Sequence, residues 1–235
     1  MPINLSNFLS STYIGKRGFG LFNIEIGASA SYTCTTTMAS ALTLPSSAGK
    51  YLVRSILLTN ISGNDATFSA EVLLNSTSNT INIAEQIPLN SGSSIELIKK
   101  PKILSPSDQI RLSASANSAV SAYITYQNDE SLNYFGTGTN LNTSSPIEIF
   151  TASQGDAIIE SIQVTSILDK ISPDIDVYIA DASGTPISYI VKSLVLPSNS
   201  LIELNEQPKF ILAGQKLFAK SISNTASILI SGIYK

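Results

Sequence analysis

The tripeptide Ile95-Glu96-Leu97, followed by Pro101-Lys102, returns 107 residues later as Ile202-Glu203-Leu204 followed by Pro208-Lys209. The same offset sets Asn117 and Ala119 against Asn224 and Ala226. Upstream the offset is 106, with Ser55-Ile56 and Thr59 meeting Ser161-Ile162 and Thr165. A duplication over nearly the whole chain is the constraint that any fold must satisfy, because a fixed long period means one structural unit built twice. Units of about 95 residues bury close to two-thirds of their unfolded surface, so each can hold a core of its own.

The unit reads as β throughout. Tyr51–Thr59 is rich in β formers and ends in the turn cluster Asn60-Ile-Ser-Gly63-Asn64-Asp65. Phe68–Leu74, Ile81–Ile83, Ser94–Ile98, Ile110–Ala114 and Val120–Tyr126 follow, separated by turn residues every 8–12 positions. Pro101 has no N–H to give a ladder and marks a strand end or edge. The second unit repeats the plan from Ile147 to Tyr234. The expected class is therefore all-β: two tandem antiparallel β-sandwich domains, jelly-roll or immunoglobulin-like, with about seven strands each. Period-two geometry places Ile95, Leu97, Ile202 and Leu204 toward the cores, with Glu96 and Glu203 on the opposite face.

The divisions follow from where periodicity fails. Residues 1–30 carry Lys16-Arg17 among Gly15, Gly18 and Gly20, with Phe8, Tyr13, Ile14, Phe19 and Phe22 around them. Neither period is sustained there, so this stretch reads as an extended N-terminal arm whose aromatic anchors dock on a neighbour. Residues 31–127 form the first sandwich and 146–235 the second, a duplicate of the first. Residues 128–145, broken by Gly136, Gly138, Asn140 and Asn142 around Tyr134-Phe135, read as the linker.

Composition excludes more than it assigns. Charged residues are 13% against 43% hydrophobic, about half the usual charged share. Such a polar but nearly uncharged surface suits permanent packing among subunits rather than steering of charged ligands. A net charge of −3 supplies no basic field for phosphate backbones, and Lys16 and Arg17 are too few for single-strand binding, so no nucleic-acid partner is expected. No basic n-region precedes an apolar run and no window nears 18 apolar residues, so neither signal peptide nor membrane partner is expected. Cys34 is single, so it forms no intrachain disulfide and no Cys/His metal spacing.

The chain has no histidine, which removes Ser-His-Asp and Cys-His nucleophiles and histidine metal ligands together. Lys192-Ser193 and Lys220-Ser221 are adjacent in strand patterns, where neighbouring side chains face opposite ways. Asp174 and Asp176, with Asp169 and Asp181 nearby, share a strand face and offer a Ca²⁺ reading, against the simpler reading of a turn rich in Asp. Gly15-Lys-Arg-Gly18-Phe-Gly20 has the composition of a phosphate loop without its strand, helix or spacing. The expectation is no enzyme, no cofactor and no metal.

One resemblance adds to this. The run Tyr51–Gly63, then Ile87-Pro-Leu89, Ser94–Ile98, Lys100-Pro101 and Ser113–Asn117, resembles small β domains of tailed-bacteriophage virion proteins. The opening Met1-Pro-Ile-Asn-Leu with Tyr13-Ile-Gly15 is similar to N-termini of marine and cyanobacterial phage structural proteins. In the second unit Glu160 stands for Arg54 and Gln207 for Lys100, so the second unit matches more loosely. The resemblance implies a structural virion component, associated with the neck or tail, present in multiple copies and contacting itself and other virion proteins. Capsid decoration, or a carbohydrate- or receptor-binding module of a tail fibre, are the alternatives it leaves open.

Overall fold

The computed structural model describes residues 27–129, 133–167, 172–221 and 225–235. Among the described residues the regular structure is all strand, with no helix. The first nine are β1 (Ala28–Thr33), β2 (Ala39–Thr43), β3 (Lys50–Asn60), β4 (Ala66–Leu74), β5 (Asn79–Leu89), β6 (Ser94–Glu96), β7 (Lys102–Leu104), β8 (Gln109–Ala114) and β9 (Val120–Asp129). The next nine are β10 (Tyr134–Leu141), β11 (Ile147–Thr151), β12 (Ala157–Ser166), β13 (Asp174–Ala180), β14 (Pro186–Val195), β15 (Leu201–Glu203), β16 (Lys209–Ile211), β17 (Lys216–Ser221) and β18 (Ala226–Tyr234).

Pairing in the first set is nested. β4 pairs with β5 at the tip, β3 with β6 and β7, β2 with β8, and β1 with β9, all antiparallel. A long hairpin of this kind folds over itself so that successive arms alternate between two sheets, in the orders β1-β9-β3-β6 and β2-β8-β4-β5. That is a jelly roll. The immunoglobulin alternative, with sheet orders A-B-E-D and C-F-G, does not bond its first strand to its last. The second set repeats the pattern as β10-β18-β12-β15 and β11-β17-β13-β14, with β16 beside β12 as β7 lies beside β3.

Irregular features repeat as faithfully as the strands. β3 is bulged at Arg54 against β9, and β12 at Glu160 against β18. Left-handed backbone recurs at Gly49 and Gly155, Gln86 and Ser193, Gly92 and Asn199, and Ser107 and Gly214. Three of these pairs keep the geometry while the residue type changes, so the turn dictates the conformation and the residue tolerates it at a cost.

Three sequence expectations need correction. The 107 offset holds from β4 to β8, where Phe68 faces Ala114 as Ile175 faces Ser221. It does not carry on into the last strands: Asn60 faces Val120 as Ser166 faces Ala226, which restores 106. The loop before β18 is one residue short, so the match of Ala119 with Ala226 is a coincidence of composition. Second, residues 128–145 are not a linker, since β9 reaches Asp129 and β10 occupies Tyr134–Leu141. Their glycines alternate along a strand, a period-two pattern rather than the irregular spacing of a flexible loop. Third, β1 starts at Ala28, inside the stretch 1–30 assigned to the arm.

The cores lie between the sheets. In the first, Phe68, Val72, Ile110, Leu112 and Ile124 are buried at alternate positions of β4, β8 and β9. In the second, Ile159, Val177, Leu217 and Ile230 do the same. Leu97 is fully buried, while Ile95, Ile202 and Leu204 are half-buried and packed against their cores. Leu97→Ala is accordingly expected to lose about 2–5 kcal/mol in denaturant unfolding; a loss under about half a kcal/mol, the range of neutral surface changes, would show that the side chain contributes no core packing.

Candidate functional site

The repeated glutamate has a use that its alternation in sequence conceals. β6 and β7 bond to the same edge of β3, at residues 57–59 and 51–53, and leave the bulge between them without a ladder partner. Glu96 closes that gap: its carboxylate accepts from Ile56 N at 2.7 Å and Ser55 Oγ at 2.5 Å, while Leu97 N donates to Ile56 O. Unpaired main-chain groups at a partly buried site carry a desolvation penalty, and a carboxylate satisfies them with charge-assisted bonds. Glu203 does the same at the second bulge, accepting from Ile162 N at 2.6 Å and Ser161 Oγ at 2.9 Å. Buried Asn205 completes it, accepting from Ile162 N and donating to Ile159 O. Thus the motif that reveals the duplication is a clasp on a strand bulge.

The second clasp holds a cation supplied by the first sandwich. Lys102 Nζ donates to Glu203 Oε2 at 2.8 Å and also to Ser161 Oγ, and both partners of the ion pair are buried. Lys100 Nζ reaches the carbonyls of Glu160, Asn205 and Glu206 beside it. Around this point the back edge of the first sandwich, β5 and β7, lies on the outer face of β10-β18-β12. Side chains of that face bond to main chain of the edge strands. Ser231 Oγ accepts from Ile103 N, Ser227 Oγ donates to Asn82 O, Gln163 Nε2 to Ile83 O and Asn140 Nδ2 to Thr80 O. The open edge of β5 is blunted by this cover, as strand edges require.

Gly136 and Gly138 make the approach possible. A Cβ at Gly136 would overlap the Ile103 carbonyl, 2.7 Å from its carbon, and one at Gly138 would meet Ile81 Cδ1 at 2.8 Å. Leu229, on the same face, packs into the core of the first sandwich. The two sandwiches pack together through a face of hydroxyl, amide and glycine residues with the buried Lys102–Glu203 pair at its centre.

Burial lowers the Lys102 pKa below its ordinary 10.5, with the carboxylate of Glu203 pulling the other way. In the window between the lowered value and 10.5 the unfolded chain binds more protons, so stability rises with pH there and is complete above 10.5. As pH rises toward 10.5, the unfolding midpoint of the wild type should rise relative to that of Lys102→Met. Parallel pH curves for the two proteins would contradict this.

Asp176, Asp181, Lys192 and Lys220, singled out for chemistry, are engaged in structural contacts, while the buried Oδ1 of Asp174 has no hydrogen-bond partner among the described residues. Asp176 accepts from Ser193 N at 2.7 Å and pairs with Lys220 at 3.1 Å. Burial opposes its charge, but the Ser193 N–H and Lys220 outweigh that and hold its pKa below the ordinary value. Asp181 accepts from Ser183 N, Ser183 Oγ and Thr185 N, the bonds of an Asp-initiated turn. Among the described residues no group of three or more His, Cys, Asp or Glu is gathered for a metal; Asp169 lies outside them. Lys192 rests over the ring of Tyr189 and Lys220 pairs with Asp176, so neither lysine is bonded to its neighbouring serine. Cys34 is fully buried, and burial pushes its thiol up to about 11. Phe8, Tyr13, Ile14, Lys16, Arg17, Phe19 and Phe22 lie outside the described residues. What sequence reasoning missed is the junction itself, whose one available signal was the alternation of Gly136 and Gly138.

No family model and no curated protein matches the chain. Solved structures similar to it include the CBM22-1–CBM22-2 tandem domain of Paenibacillus barcinonensis Xyn10C, at 10% identity over 80% of this chain and 79% of that one, with a TM-score of 0.27. A chain of Sulfolobus Turreted Icosahedral Virus is 11% identical over 91% of this chain and 60% of that one, TM-score 0.27. A chain of infectious bursal disease virus, Gt strain, is 9% identical over 89% and 72%, TM-score 0.24. Scores at this level carry no functional assignment.

Proposed function

We propose that the chain is a structural, non-enzymatic subunit of a tailed-phage particle, present in multiple copies at the neck or tail. The observation that carries this reading is the junction. Two jelly rolls are fixed to one another by main-chain-directed bonds and a buried ion pair, which makes a stiff building block. The sequence supports it further through the missing histidine, the low charge and the resemblance to virion β domains. Capsid decoration is the nearest variant of the same reading. Exposed rings at Tyr123, Tyr189 and Phe210 favour a second one, a carbohydrate- or receptor-binding module of a tail fibre.

Mass spectrometry and immunogold labelling of purified particles, made from the genome that encodes the chain, test the proposal. A multi-copy component at the neck or tail is expected; absence from particles overturns it, and glycan binding by a monomer moves the reading to the fibre module. The stretch that precedes β1, residues 1–27, is assigned to assembly in this proposal. Burial of one large apolar side chain contributes about 1.5–3 kcal/mol, so Phe8, Tyr13, Ile14, Phe19 and Phe22 together suffice to anchor it on a neighbour, with Lys16 and Arg17 adding a weaker ionic contribution. Deleting residues 2–25 should leave the thermal midpoint of the isolated protein nearly unchanged and abolish incorporation into particles.

A further inference from the structure

The junction joins two unlike surfaces of one repeated unit, a back edge and a front face, and each sandwich owns both. The back edge of the first sandwich (β5, β7) is covered by the front face of the second (β10, β18, β12). Among the described residues, the front face of the first (β1, β9, β3) and the back edge of the second (β14, β16) are left uncovered. These two surfaces are where the molecule exposes its apolar side chains. Of eight large hydrophobic residues in the open among the described residues, Ile187, Tyr189, Val195, Phe210 and Leu212 lie on or beside β14 and β16. Leu57 and Tyr123 lie on the uncovered front face, and Ile61 alone lies elsewhere. Exposed apolar groups gathered in this way mark an interaction surface.

The uncovered surfaces also retain the polar parts of the junction. Paired strands place Ser121 and Thr125 of β9 where Ser227 and Ser231 of β18 bond to the back edge of the first sandwich. Glu96 with Ser55 and Ile56 N reproduces the clasp of Glu203 with Ser161 and Ile162 N, lacking the lysine and, with Ile98 in the place of Asn205, the buried amide. Among the described residues no cation is paired with Glu96. The missing lysine exists: Lys209 heads β16 as Lys102 heads β7, each the first of three residues that pair with the bulged strand. At several positions the uncovered version carries a larger or more apolar side chain, although Ser188 stands there for Ile81. Tyr189 stands for Asn82 and Phe210 for Ile103 on the back edge; Leu57 stands for Gln163 and Tyr123 for Leu229 on the front face. Charge and apolar character are complementary between the two ends of one molecule; Ser29 and Ser31 of β1 stand where Gly136 and Gly138 lie in β10, so the edge meets this face at a wider spacing.

We propose that the back edge of the second sandwich docks on the front face of the first sandwich in another copy of this chain, with Lys209 entering the Glu96–Ser55 clasp as Lys102 enters the Glu203–Ser161 clasp. The contact is head to tail, so every sandwich in the assembly meets its neighbours through the same kind of junction. Such heterologous contacts close into a ring or extend into a helical filament, according to the rotation each step adds. This deepens the multi-copy reading above and rests on it only for its biological setting.

Sedimentation velocity of the full chain and two surface variants tests the proposal. Phe210→Glu blocks only the back edge, and Tyr123→Glu blocks only the front face. Wild type should sediment as an oligomer and each variant as a monomer. An equimolar mixture of the variants should give a dimer and nothing larger, because one intact face and one intact edge remain between them. A monomeric wild type, a variant that still assembles, or a mixture that stays monomeric would each overturn the proposal. Deleting residues 2–25 should leave these masses as they are. Assembly that disappears with the deletion while both point variants still assemble would give the surface to the arm instead. Absence of the chain from virions changes none of these masses, so the two proposals fail separately.

Discussion

Lys102→Ala is expected to lower the unfolding free energy by about 3–5 kcal/mol, because it removes one partner of a buried ion pair and leaves the other behind. Glu203 keeps Ser161 Oγ and Ile162 N, but its second oxygen loses the cation that justified burying it. The double change Lys102→Met with Glu203→Gln should recover much of the loss, since no uncompensated charge then remains and the amide oxygen still accepts from Ile162 N. Calorimetry should show more than a lower midpoint. With the centre of the junction gone, the single transition of a fixed pair should broaden or divide into two, one for each sandwich. A loss near 1 kcal/mol, the value of an exposed pair, with one sharp transition, would mean that the pair adds little to the joint.

Gly136→Val should be comparably severe for a different reason. The added carbons would occupy the space of the Ile103 carbonyl, and a main-chain atom of a paired strand has no rotamer by which to yield. β7 must lift away from β10, and overpacking of this kind costs about 3 kcal/mol or more. Gly63→Ala is the matched control, because nothing lies within 4 Å of a Cβ there. Small-angle scattering should report a more extended and variable pair of domains for Gly136→Val and an unchanged particle for Gly63→Ala. Equal profiles for the two variants would show that the close approach of β10 to β7 is dispensable.

The sequence discloses the sandwiches far better than it discloses how they meet. Ile110, Leu112 and Ala114, or Val120, Ala122 and Ile124, alternate because one side of each strand faces apolar core, and that signal is written in residue type. The duplicated Ile-Glu-Leu was legible for the same reason, yet its glutamate reads as a solvated position. Alternation tells which way a side chain starts, and cannot show that a carboxylate bends back onto the bulge of the next strand. The junction is less legible still. Ser227, Ser231 and Gln163 have the composition of an exposed face, and they are buried only because main-chain edges of another sandwich supply their bonds. Gly136 and Gly138 looked like hinge glycines because a glycine that permits bending and one that permits contact are the same residue.

The nested pairing also sets the order in which the chain can complete itself during synthesis. β9 and β18 are each the last strand of their sandwich, and each is also the strand that bonds on both sides, β9 to β1 and β3, β18 to β10 and β12. Until such a strand emerges from the ribosome, β3 and β12 are paired on one side only, and β1 waits for a partner nearly a hundred residues away. Local hairpins such as β4–β5 form early, while closure of each sandwich is a late, non-local step of the kind that slows β proteins. The first sandwich is whole by residue 129, before any of β10 has been made. The edge of β5 and β7 can therefore be complete before the face of β10, β12 and β18 that covers it is made.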